Sequence, residues 1–161
     1  MKPKVYIETT IISYLTAWRS TKLVMAANQE TTRSWWDDER HNFDLYVSEA
    51  VIQEISAGDP AAAQRRLEAI QKIPTLLITD ATRDLAKQLI EDTPLPENAS
   101  IDAVHIATAT VNGRNYLLTW NCRHIANAML RTSMAAICQL AGYEIPVICT
   151  PTELIAEHQN D

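Results

Sequence analysis

A chain of 161 residues, 47% hydrophobic, has the material for one domain with a full core, which excludes a disordered polymer and leaves no room for a second large domain. Its formal net charge of −6 excludes tight, unspecific nucleic-acid binding through a basic surface, although a nucleic-acid enzyme with an acidic metal site stays open. Three cysteines at wide spacing, Cys122, Cys138 and Cys149, predict buried reduced thiols and argue against zinc, and no apolar run approaches the roughly 18 residues of a membrane span. With no secretion leader recognisable, the expectation is a soluble, cytoplasmic protein without a membrane partner.

Val5-Tyr6-Ile7 reads as a first strand ending on Glu8, and Thr9-Thr10 opens a helix through Ile11, Ile12 and Leu15. Thr21 to His41 predicts one long amphipathic helix, with Leu23, Val24, Ala27, Trp35 and Trp36 at its apolar positions. Leu45-Tyr46-Val47 is a second strand; Ser48 is a good N-cap for a helix that carries Val51, Ile52, Glu54 and Ile55 to a stop at Gly58. Asp59-Pro60 starts a further helix, which Pro74 ends. Leu76-Leu77-Ile78 is a third strand, and Thr79-Asp80 caps a helix that dissolves at Thr93-Pro94-Leu95-Pro96.

Ile101 to Ala109 is the next helix, with Asp102 in its first turn, and Tyr116-Leu117-Leu118 is a buried strand running out at Thr119-Trp120-Asn121. Arg123 to Ala141 predicts a mostly helical stretch with a break near Arg131-Thr132-Ser133. Ile145 to Cys149 is a last strand, and Thr150-Pro151-Thr152-Glu153 is a capping box for a short final helix. Strands alternating with helices imply an α/β fold, a single domain over 1–161 with its core at about 5–151, and a mostly parallel sheet of about five strands.

In such sheets chemistry gathers beyond the carboxyl ends of the strands. The polar residues there are Glu8, Glu54, Asp102 and Asn121, far apart in sequence. Oxygen donors of this kind suit Mg²⁺ or Mn²⁺, ions that polarise a phosphoryl oxygen and acidify a bound water. His105, one turn after Asp102, reads as a histidine hydrogen-bonded beneath the site rather than a zinc ligand. Trp35, Trp36 and Trp18 could stack nucleic-acid bases, but core or dimer-interface packing is the favoured reading. Arg123 and His124 are the best local candidates for contacting a phosphate.

The runs from Glu8 to Leu15, Val47-Ser48 followed by Val51 to Ile55, Asp102-Ala103-Val104-His105-Ile106-Ala107, and Leu117 to Asn121 with Arg123-His124-Ile125 together resemble the PIN-domain family, in particular VapC-like toxin ribonucleases. The resemblance implies a three-layer α/β/α fold and a Mg²⁺- or Mn²⁺-dependent site that cleaves RNA, with a frequent homodimer and a cognate antitoxin. On that resemblance Glu8, Glu54 and Asp102 are the metal ligands, Thr10 and Asn121 complete the catalytic set, and Arg123 and His124 bind substrate. Glu8 and Asn121 stand where the family usually has aspartates. The alternative implied by those two departures is a catalytically impaired RNA- or protein-binding module.

Overall fold

Val5, Tyr6 and Ile7 are β-branched or aromatic, which suits a pleated strand, and all three are wholly buried. They form β1 (Lys4–Ile7), the middle of a five-stranded parallel sheet: β2 (Asp44–Ser48) and β4 (Tyr116–Leu118) flank it, with β3 (Thr75–Leu76) and β5 (Val147–Cys149) outside them. The computed structural model describes residues 1–156. Among these, no helix is long and apolar enough to cross a membrane.

The chain leaves β1 for β2 and β3 through α1 (Thr9–Thr16), α2 (Leu23–Ser34), α3 (Glu49–Ile55) and α4 (Pro60–Ala69). It then recrosses the sheet to β4 and β5 through α5 (Asp80–Asp92), α6 (Ser100–Val111) and α7 (Ala128–Leu140). Right-handed crossovers put α1 to α4 on one face and α5 to α7 on the other. The packing agrees, since α1 touches α2, α3 and α4 while α5 touches α6 and α7. The direction reverses between β1 and β4, so a crevice opens beyond their carboxyl ends, where Ile7 pairs with Leu118. Glu8 and Thr119 come next along each strand.

Several expected boundaries shift, each for a local reason. The long helix over 21–41 is three pieces: α2, a wide π-type turn over Trp35–Glu39 and a 3₁₀ turn over Arg40–Asn42. Burial of two adjacent indoles overrides helix propensity here: Trp35 donates its Nε1–H to Leu154 O at 2.7 Å and stacks on Phe43, while Trp36 lies under the Arg40 guanidinium. The third strand stops at Leu76 because the Ile78 N–H goes to the Glu49 carboxylate instead of a ladder partner. The last strand begins at Val147, after Pro146, which has no N–H to offer.

Arg123 to Asn127 are not helical, and α7 runs unbroken past Arg131 to Ser133. The final helix does not form over the described residues: Glu153 does bond the Thr150 N–H at 2.7 Å as a capping box requires, but only a turn follows, and residues 157–161 lie outside the described part. Cys138 and Cys149 are buried as expected; Cys122 is exposed.

Candidate active site

Glu8 follows β1 directly and caps α1, its side chain accepting the Thr10 N–H at 2.9 Å. The same oxygen, Oε2, accepts the hydroxyls of Thr10 at 2.6 Å and Thr119 at 2.9 Å. Thr10 Oγ1 in turn accepts the Trp120 N–H at 2.8 Å, which ties the start of α1 to the end of β4. Glu8 is only 3% exposed. Burial pushes its carboxyl above the ordinary range, and the positive field of His105 with the Thr10 and Thr119 bonds counters only part of that push.

A second line of polar groups runs beneath. Ser48, at the end of β2, caps α3 by accepting the Val51 N–H and meets the Tyr6 hydroxyl at 2.7 Å. Tyr6 meets His105 Nδ1 at 2.6 Å, and His105 Nε2 meets Glu54 Oε1 at 2.5 Å, an oxygen that also accepts the Thr9 hydroxyl at 2.6 Å. A carboxylate only accepts, so Nε2 carries the proton that faces Glu54. His105 is 1% exposed with both nitrogens spoken for, which suits it to hold Glu54 in place. For Glu54, burial works upward, but the His105 and Thr9 hydrogen bonds and the His105 charge outweigh it and hold the carboxyl below its usual value.

The third acid, Asp102, sits in the first turn of α6, and its two oxygens have separate partners: Asn121 Nδ2 donates to Oδ1 at 3.1 Å and His124 Nδ1 lies 2.9 Å from Oδ2. Asn121 Oδ1 accepts the His124 N–H at 3.0 Å, so this amide builds the turn after β4 as well as touching the acid. Arg123, beside it, is exposed and has no ion pair among the described residues.

The sheet thus brings the sequence-predicted residues other than Arg123 into three hydrogen-bonded groups at the strand ends. Among the described residues no three His, Cys, Asp or Glu side chains form a group that could hold a metal ion, so a cage of Glu8, Glu54 and Asp102 does not stand ready-made. The hydrogen bonds do leave Glu8 Oε1 and Glu54 Oε2 without a donor among those residues. Mg²⁺ and Mn²⁺ keep several waters and take one or two carboxylates with the substrate's phosphate. This all-oxygen set fits an ion held in that way, jointly with substrate. Sequence reasoning passed over Tyr6, Thr9 and Ser48, whose part depends on strand neighbours far away in the chain; Thr119 and His105 carried a signal, the strand tip and the one-turn spacing from Asp102.

The Glu8 displacement has a sign that stability reads out. A raised carboxyl binds its proton more tightly in the folded chain, so stability is fullest near or below the ordinary carboxyl range and falls as pH climbs through the folded value. Glu8→Gln removes that loss. The variant should melt higher than the parent, by about 2–4 °C per kcal/mol recovered, with a gap that widens as pH rises above the ordinary carboxyl range in thermal unfolding without metal. A gap that is the same at every pH would mean the Glu8 proton is not displaced.

No protein-family model matches the chain, and comparison with curated proteins finds no match. Solved structures do match in fold. VapC20 of Mycobacterium tuberculosis, a Sarcin-Ricin loop cleaving toxin, superposes with a TM-score of 0.60 at 14% identity, over 77% of this chain and 95% of that one. A chain from VapBC2 of Rickettsia felis, bound to a DNA fragment from their promoter, superposes with a TM-score of 0.53 at 12% identity, over 91% and 98%. At these identities the likeness is one of fold, a VapC-like PIN-domain fold.

Proposed function

We propose that this VapC-like fold carries a ribonuclease that hydrolyses RNA phosphodiester bonds with one Mg²⁺ or Mn²⁺, recruited by Glu8, Glu54 and Asp102. The observation behind the reading is the buried Glu8 carboxylate at the β1/β4 crevice, together with a second carboxylate, Glu54, held by His105. A carboxylate kept dry at a sheet's ligand-binding edge is costly unless a positive group compensates it, and only part of that compensation comes from the chain's own donors. When bound, such an ion polarises a phosphoryl oxygen and makes a water more acidic.

The chain's residues supply the rest. Thr10 and Thr119 fix the Glu8 carboxylate, leaving Oε1 for the crevice. His105 and Thr9 keep Glu54 ionised and turned toward the same edge. Asn121 and His124 orient Asp102, and Arg123 with the outer nitrogen of His124 would meet the RNA phosphate. The family resemblance extends the proposal to a cytoplasmic toxin that forms a homodimer and is restrained by a cognate antitoxin.

A second reading rests on one specific observation: Asp102 spends both oxygens on Asn121 and His124, as it would in a catalytically impaired RNA- or protein-binding module. Incubation with a structured RNA separates the two. We expect cleavage with Mn²⁺ and none with EDTA, together with a rise in unfolding temperature in Mn²⁺, about 2.7 kcal/mol of stabilisation at a hundredfold excess over Kd. Neither cleavage nor a thermal shift would leave the binding module.

A further inference from the structure

Trp18 is not in the core, one of the two places expected for it. Trp35 and Trp36 are buried, Trp120 is half-buried, and Trp18 is 81% exposed. An indole left in water forgoes the stabilisation that burial of its apolar surface would bring. Such a side chain normally sits on slack backbone, yet here the backbone is pinned. The buried Gln29 side chain accepts the Ser20 N–H at 2.9 Å and donates to Trp18 O at 3.1 Å, and Arg33 donates to Ala17 O at 2.9 Å. The loop between α1 and α2 therefore holds the Trp18 backbone in a fixed place.

The Arg65 guanidinium, from α4, lies over that ring at 5.1 Å from its centroid. Arg65 Nε is buried without a hydrogen-bond partner, the one such side-chain atom among the described residues. A buried, unsatisfied guanidinium donor beside an exposed ring points to a missing acceptor. Arg19 and Lys22 border the ring in sequence, both exposed and neither in an ion pair among the described residues. In a chain of net charge −6, this is a local concentration of unpaired cations around an aromatic face. α1, at 1.5 Å per residue, puts the loop only about 12 Å from Glu8.

We propose that Trp18, backed by Arg65 and flanked by Arg19 and Lys22, is a stacking platform for an unpaired base of the RNA strand cleaved at the Glu8 edge. The indole offers a π-face to any base, and the three cations meet the flanking phosphates, the combination used for single-stranded nucleic acid. The assignment to substrate rests on the ribonuclease reading; binding of a single strand does not.

The test is a fluorescence titration with a single-stranded oligoribonucleotide in EDTA, where no metal-dependent cleavage intervenes. Trp35 and Trp36 are buried and Trp120 is half-buried, so Trp18 is the most exposed of the four indoles, and stacking should quench its emission, with Trp18→Ala separating its share from that of Trp120. Trp18→Ala should abolish that quenching and weaken binding, followed by oligonucleotide anisotropy, about 5- to 100-fold, with Trp18→Phe in between. Arg19→Ala and Lys22→Ala should each flatten the salt dependence. With metal, Trp18→Ala should raise KM for RNA much more than it lowers kcat. Equal affinity in Trp18→Ala and parent overturns the platform, as does emission that oligonucleotide leaves unchanged but that shifts as the protein is concentrated, the mark of a self-association surface. If Asp102→Asn is inactive while Trp18→Ala binds normally, the platform fails and the ribonuclease stands; if Trp18→Ala binds weakly while Asp102→Asn cleaves normally, the reverse holds.

Discussion

Asp102→Asn should lower Mn²⁺-stimulated RNA cleavage by at least about 10²-fold, the scale on which losing one aimed charge at a reacting phosphate is felt. The replacement keeps the shape, so the fold should survive. One of the two contacts, to Asn121 Nδ2 or to His124 Nδ1, changes from acceptor to donor, at a cost of about 0.5–1.5 kcal/mol. A further few tenths to about 1 kcal/mol goes with the negative charge in the first turn of α6. A melting point a few degrees lower with turnover gone is the expected pair of results, measured by circular dichroism and a fluorogenic RNA substrate. Unchanged turnover would remove Asp102 from the site and take the ribonuclease reading with it.

His105→Ala should be the most damaging single change to both stability and activity. It leaves a cavity in α6 against the sheet and strips Tyr6 and Glu54 of their shared partner. Tyr6 is wholly buried, and its hydroxyl would keep only Ser48. The loss of a buried partner and the cavity together suggest about 2–4 kcal/mol, or a melting point lower by about 4–16 °C for a chain of this size. Activity should fall by about 10- to 100-fold, because Glu54 is no longer held and loses the bond that favours its charged form. Glu54→Gln separates the two effects: it keeps the Thr9 bond and the packing, so it should melt close to the parent while cleaving poorly. If His105→Ala cleaved as well as the parent, the line from Ser48 to Glu54 would be scaffolding with no hold on the chemistry.

Much of the architecture was legible along the chain because it is written in local patterns. The three-residue run Val5-Tyr6-Ile7, the caps Ser48, Asp59 and Thr79, and proline at the start of α4 all behave as their chemistry predicts, each cap accepting the expected backbone N–H. Alternation of strands and helices implied the parallel sheet, and the strand-tip rule led to Glu8, Asp102 and Asn121. Legibility failed where long-range burial competes with local preference, as at Trp35-Trp36, where two indoles seeking cover broke the helix, and at Trp18, which found none.

What the sequence by itself determined is the five strands, most of the helices and which polar residues follow the strand ends, since periodicity, capping and crossover handedness act between near neighbours or through general rules. What only the tertiary structure decided is how those residues spend their hydrogen bonds: Glu8 clamped by Thr10 and Thr119, Glu54 held by His105, Asp102 shared between Asn121 and His124. A hydrogen bond reaches about 3 Å and has a direction, so partners 51 or 111 positions apart in the chain are chosen only when packing sets their backbones within that reach.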